Sequence, residues 1–240
     1  DEATILIAVN AVNDAPTITS ISDQSVDEDA SLVVSLDYTD PDSELSVSAT
    51  SSNSENIPAT LDGSSLTIAP GDNYNGETII SITVSEVGGE YQATESFNVS
   101  INAINDAPSI SSISTISFAE DASTSMVIAG SDIDGDDLTY SISGGSDINA
   151  AINGATVTFS GSSDFNGSEE FTATVSDGTL SSTQTFTVTS TPVNDAPVLS
   201  SVSNQSYDED NSLTLSLPGT DIDGDDLTYS VSGGTDITAT

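Results

Sequence analysis

The phrase Ile104-Asn105-Asp106-Ala107-Pro108 occurs twice more in nearly the same form, as Val12-Asn13-Asp14-Ala15-Pro16 and as Val193-Asn194-Asp195-Ala196-Pro197. The copies are about 90 residues apart, too long for one coil of a solenoid and right for one small domain per repeat. Each copy is followed by an acidic knot: Asp27-Glu28-Asp29, Glu120-Asp121 and Asp208-Glu209-Asp210. A second knot comes next: Asp40-Pro41-Asp42, Asp132-Ile133-Asp134-Gly135-Asp136-Asp137 and Asp221-Ile222-Asp223-Gly224-Asp225-Asp226. The chain therefore reads as an array of domains. Residues 1–11 match what precedes the other two phrases and read as the last strand of a preceding repeat. Residues 12–103 and 104–192 read as two whole repeats, and residues 193–240 as the first half of a third. No secretory signal opens the sequence, which predicts an internal segment of something longer.

Within a repeat every signal is β. Thr78-Ile79-Ile80-Ser81-Ile82-Thr83-Val84 and Phe171-Thr172-Ala173-Thr174-Val175 alternate with period two, the pattern of a half-buried strand. Asp62-Gly63, Asn153-Gly154 and Asp177-Gly178 mark tight turns. Roughly six or seven short strands with turns every 8–12 residues predict an all-β fold of tandem immunoglobulin-like sandwiches in an extended array. The predicted core of the first repeat is mostly aliphatic: Leu32, Val34, Leu36, Ile80, Ile82, Val84, Phe97, Val99 and Ile101. The chain has no Cys and no Trp, so the disulfide-centred antibody subfamily is excluded.

Composition limits the chemistry. The chain carries 39 acidic residues and no Lys, Arg or His, a formal charge of −39. No salt bridge between side chains can form, so every carboxylate must be solvated, bonded to N–H groups or bound to cations from solution. Nucleic acid and anionic membranes bind through basic side chains and are poor partners for this chain, so no nucleic acid and no membrane insertion are expected. No apolar run approaches the ~20 residues of a membrane span. A serine triad lacks its base. A carboxylate pair could hydrolyse glycosides, but acids that recur equivalently in every repeat do not look like one active site, so the chain reads as non-enzymatic.

Placed on a sandwich, the acids sort by end. The second knot falls in the B–C loop and Asp177 in the F–G loop, both at the top. The first knot and the E–F loop fall at the bottom, and the Asn-Asp-Ala-Pro phrase is the linker. The first junction thus collects Glu28 and Asp72 from below, Asn105 and Asp106 from the linker, and Asp132, Asp134, Asp136 and Asp177 from above. The second collects Glu120, Asp164, Asn194, Asp195, Asp221, Asp223 and Asp225. The first linker and the loop it meets offer Asn13, Asp14, Asp40 and Asp42, although Asp40-Pro41-Asp42 lacks the glycine of the later knots. Asp72 and Asp164 can be either ligands or turn caps. Calcium takes 6–8 oxygens from carboxylates and carbonyls, which this supply suits, whereas zinc and copper want His or Cys. The predicted cofactor is Ca2+.

Val-Asn-Asp-Ala-Pro, Asp-Glu-Asp, Asp-Ile-Asp-Gly-Asp-Asp-Leu-Thr-Tyr-Ser and Val-Ser-Asp-Gly recur together in one order. In this the chain resembles cadherin repeats, and more closely the bacterial cadherin-like repeats of large surface adhesins of the RTX and VCBS type. The resemblance implies an extracellular, calcium-stiffened spacer whose partners are calcium ions and neighbouring repeats, or neighbouring copies in a fibre. It implies ligand roles for Asp132 and Asp134, for Glu28, and for Asn105 and Asp106. The alternative is an adhesive module that grips a glycan or a protein directly. Tyr91, in the atypical Glu86-to-Gln92 loop, is the one residue that suggests it.

Overall fold

The computed structural model describes residues 4–10, 12–234 and 236. Asp1, Glu2, Ala3 and Ala11, which fall in the predicted first strand, lie outside the described residues, as do residues 235 and 237–240. Two compact units divide between Asn105 and Asp106. No helix occurs among the described residues.

The first unit holds β1 (Thr17–Ile18), β2 (Gln24–Asp27), β3 (Leu32–Ser35), β4 (Tyr38–Thr39), β5 (Leu45–Ser51), β6 (Ala59–Asp62), β7 (Ser65–Ile68), β8 (Gly76–Glu86) and β9 (Gln92–Asn102). One sheet has the order β2-β9-β8-β5 and the facing one β3-β7-β6, with β1 and β4 paired beside them. Strand β8 shows why the residues choose this form. Thr78, Ile80, Ile82 and Val84 point into the core, while Ile79, Ser81, Thr83 and Ser85 face outward. Burial of each large aliphatic side chain contributes about 1.5–3 kcal/mol. Leu36, Ile80, Ile82, Val84, Phe97, Val99 and Ile101 are buried as expected; Leu32 and Val34 are only half-buried and pack on the rim. Ile57, Leu66 and Ile68 complete the centre.

The second unit repeats the plan with β10 (Ser109–Ile110), β11 (Ile116–Ala119), β12 (Ser123–Val127), β13 (Gly130–Ser131), β14 (Thr139–Gly144), β15 (Ile148–Asn153), β16 (Thr156–Gly161), β17 (Gly167–Ser176) and β18 (Ser181–Thr191). Its sheets run β11-β18-β17-β14 and β12-β16-β15. Its core departs from the mainly aliphatic expectation. Phe159, Phe171 and Phe186 meet with ring centroids 5.2, 6.0 and 6.2 Å apart. In both units the strand after the linker splits. A first short piece joins one small sheet, and the second runs parallel to the last strand, β2 with β9 and β11 with β18. Among the described residues after the linker of the second repeat, only β19 (Val198–Leu199) and β20 (Gly219–Thr220) form, as an antiparallel pair.

Register fixes which loops share an end. Leu45 pairs with Glu86, so loop 40–44 and the turn after β8 lie together. Asp27 pairs with Asn102 and Gly76 with Ile101, so Glu28, loop 70–75 and the departing linker lie at the other end. In the second unit Thr139 pairs with Ser176 and Gly167 with Ser190, and Ala119 with Thr191, which reproduces both ends.

Candidate metal centre

One glutamate anchors the bottom of each repeat. The Glu28 N–H donates to Asn102 O, and its Oε1 accepts the Ile104 N–H at 2.6 Å. The Glu120 N–H donates to Thr191 O, and its Oε1 accepts the Val193 N–H at 2.5 Å. Both side chains are buried, 4% and 3% exposed. Glu28 Oε2 accepts no hydrogen bond from any described residue. A carboxylate this deep is held only if charge or donors compensate it. The residue after each glutamate turns the chain into the left-handed region, with φ of 61° at Asp29, 60° at Asp121 and 65° at Asp210. Aspartate tolerates that conformation better than most side chains.

The top of each repeat is built around one aspartate that folds its own loop. Asp132 Oδ1 accepts the N–H groups of Asp134 and Asp136, and Asp221 Oδ1 those of Asp223 and Asp225. Asp132 Oδ2 is buried and accepts nothing from any described residue. The linker then docks in one fixed way. The Asp106 N–H donates to Asp134 Oδ2 at 2.8 Å, and the Asp195 N–H to Asp223 Oδ2 at 2.7 Å. The Asp14 N–H donates likewise to Asp42.

Within the second unit these parts converge. Glu120, Asp195 and Asp223 each bring a carboxylate oxygen within 4.8 Å of the others, and Asp121, Asp164 and Asp195 do the same. Asp195 belongs to both groups. Asp132, Asp134 and Asp136 form a further one within their loop. Burial first, and then the charges of Asp164, Asp121, Asp223 and Glu120, push the Asp195 carboxyl above its usual value. Such oxygens, without a cationic side chain anywhere in the chain, fit a hard divalent cation.

Other predicted ligands have different employment. Asp177 Oδ1 accepts the N–H groups of Thr179 and Leu180, both at 2.6 Å, and shapes the F–G turn. Asn13 donates through Nδ2 to both carboxylate oxygens of Glu86, and Asn194 donates to Asp195 O. Asn105 ends the first unit on the exposed surface. Asp40 Oδ1 accepts the N–H groups of Asp42 and Ser43. The Asp42 N–H above all, helped by Ser43 and the Asp42 side chain, outweighs burial and holds Asp40 below the usual carboxylate value. Burial first, and then its contact with the Asp40 carboxylate, pushes Asp42 up. Among the described residues no group of three acids gathers around Asp14, Asp40 and Asp42.

The pairing of Asp72 with Asp164 needs correcting. Gly76 and Gly167 occupy equivalent places, so Asp164 corresponds to Asn73, and both have positive φ, 57° and 52°. Asp72 lies one residue earlier, exposed, and joins no acidic group. The Asn73 N–H donates to Asp29 Oδ1 at 2.8 Å instead. Asp121 is an addition to the expected ligands, which took Glu120 alone from this knot. Its recurrence as Asp29, Asp121 and Asp210 was the available signal.

A family model described as a bacterial Ig domain matches residues 13–102 and again 105–189. Chitinase A of Pseudoalteromonas piscicida is 35% identical over 130 residues, which are 52% of this chain and 16% of that protein. The chain thus spans about a sixth of that relative. Among solved structures, Drosophila N-cadherin EC1-4 matches 78% of this chain and 54% of its own, with 17% identity and a TM-score of 0.35. The titin domains z1z2 in complex with telethonin match 76% and 100%, with 12% identity and a TM-score of 0.34.

Proposed function

The chain belongs to the bacterial Ig domain family, in two tandem copies, and from that premise we propose that it is a non-catalytic spacer whose junctions are stiffened by calcium. One observation carries the proposal. The carboxylates of Glu120, Asp195 and Asp223 approach within 4.8 Å of one another, drawn from the bottom of one repeat, the linker and the loop that follows. Like charges so placed repel unless a cation sits among them. A calcium ion would draw them together and tie the linker down at both sides. Asp195, shared with Asp121 and Asp164, would bridge a second ion. By equivalence of position, Glu28, Asp106 and Asp134 serve the first junction. Each sandwich has its own apolar core, so the ions set the angle between repeats and not the fold of either one.

A stiff array suits a segment that holds another domain away from an extracellular surface. No helix among the described residues is long and apolar enough to cross a membrane. The similarity to a small part of a protein named a chitinase suits the same role, since a spacer can be joined to a catalytic domain.

Small-angle scattering tests the mechanism. The chain should be longer and more uniform in calcium than in excess chelator, and identical profiles would overturn the proposal. Calorimetric titration tests the assignment. Asp223→Ala should weaken calcium binding roughly ten-fold or more, and Asp121→Ala should remove one site. Asp62→Ala, in the β6–β7 turn, should change neither.

A further inference from the structure

The two whole repeats differ at the turn between their last two strands. In the second it is Asp177-Gly178-Thr179-Leu180; in the first it is the longer Val87-Gly88-Gly89-Glu90-Tyr91, following Glu86. The longer turn walls an open cleft of about 450 Å3, within the general size range of small-molecule sites. Its floor is prearranged. Glu86 is buried at 5% exposure, both its oxygens accept Asn13 Nδ2 at 2.9 and 3.0 Å, and Asn13 Oδ1 accepts the Ser43 hydroxyl at 3.2 Å. Gly89 closes over it: a Cβ there would stand 1.8 Å from Glu86 Oε2, so only glycine permits the approach. Glu90 and Tyr91 form the rim, and Tyr91 is 49% exposed.

We propose that this cleft is a binding site for an uncharged saccharide, a function independent of the spacer role. The chemistry narrows the ligand class. An anionic ligand would meet a chain of charge −39 without a basic side chain. A metal ion would need more than two acids, and Glu86 and Glu90 join none of the groups of three carboxylates among the described residues. The oxygens of Glu86 are already engaged by an amide, which leaves a fixed polar floor in place of a bare charge awaiting a cation. Carboxylate, amide and hydroxyl groups in a cleft rimmed by an exposed aromatic residue match a sugar. Hydroxyls donate to the carboxylates, and an apolar C–H face lies against the ring.

The test is NMR titration of the 240-residue chain, in calcium-containing buffer, with cellotriose, laminaritriose and N-acetylated chitotriose. At least one should shift the amide signals of residues 86–91 and Ser43 in a saturable way. Tyr91→Ala should weaken that binding about ten-fold, Tyr91→Phe should preserve it, and Glu90→Gln should weaken it. Lysine methyl ester serves as the cationic probe. The proposal falls if none of the three saccharides binds there, if Tyr91→Ala binds as well as the native chain, or if only the cationic probe binds.

Discussion

Glu169 and Asp195 are carboxylates of the same unit, in a chain without a basic side chain, and their titration is moved in opposite directions. Glu169 sits on β17 beside the Gly144-Gly145-Ser146-Asp147 turn. It accepts the N–H groups of Ser146, Asp147 and Ile148 and the Ser146 hydroxyl, at 2.6–3.1 Å. Burial works against its charged form, but these donors outweigh burial and hold it at about 2. Asp195 donates its own N–H to Asp223 and otherwise faces Asp164, Asp121 and Glu120, so its carboxyl titrates above the usual value. The chain surrounds the first acid with its own donors and the second with other acids. For this pair the neighbours set the direction of the shift: N–H and hydroxyl donors lower one carboxyl, and burial with other acids raises the other.

The largest break in this comparison is expected at Gly145, which forms the turn that Glu169 clasps. Its φ is +75°, and a Cβ would stand 2.4 Å from both the Ile148 carbonyl oxygen and the Phe171 ring. Gly145→Ala should therefore cost about 3 kcal/mol or more, since backbone strain and a core clash add. Chemical denaturation of the native chain and the variant measures this. A loss under about 1 kcal/mol would mean the turn is not fixed as described.

Glu169→Gln sharpens the comparison from the other side. The glutamine keeps one acceptor oxygen but loses the charge and the second acceptor. The expected loss is about 1 kcal/mol, because the side chain is only half-buried and solvent screens its charge. The pH dependence has a definite sign. The folded-state value lies below the ordinary 4.5, so the stabilisation is complete above that value and is lost as the pH falls through about 2. Stability measured between pH 5 and 2 should fall more steeply for the native chain than for the variant, and parallel curves would exclude the clasp.

Much of this was legible in the sequence, and the exceptions have physical causes. Period-two alternation along β8 and β17 announced the strands, and the repeat of Asn-Asp-Ala-Pro placed acids near both ends of each sandwich. The parallel pairing of β2 with β9 was not legible, because a parallel partner depends on a register that only the assembled sheet supplies. The phenylalanine cluster was hidden because Phe159, Phe171 and Phe186 lie on three strands well apart in sequence. The sequence matched the acids of the E–F loops by type; the fold matched them by backbone, and so paired Asp164 with Asn73. The clasp of Glu169 was invisible for a related reason. Nothing in Gly-Ser-Glu-Glu says which glutamate faces the turn of another strand.

The last prediction places the two carboxylates on opposite sides of one experiment. Asp195→Asn removes a negative charge from among four other acids and keeps an oxygen for the same place. Without calcium the substitution should leave the chain as stable as before or more so, the reverse of Glu169→Gln. With calcium it should weaken binding roughly ten-fold, because an amide oxygen is a poorer ligand than a carboxylate for a hard cation. The acid side agrees in sign. A carboxyl that titrates above its usual 3.8 lends its stabilisation below that value and loses it as the pH rises through the raised one. The native chain in chelator should therefore lose, as the pH rises from below 3.8 through the raised value, a stabilising contribution that the variant lacks. Melting curves of both proteins in calcium and in chelator measure all of this. If Asp195→Asn destabilises the calcium-free chain as Glu169→Gln does, then Asp195 is held by the chain itself, and the distinction between the two acids fails.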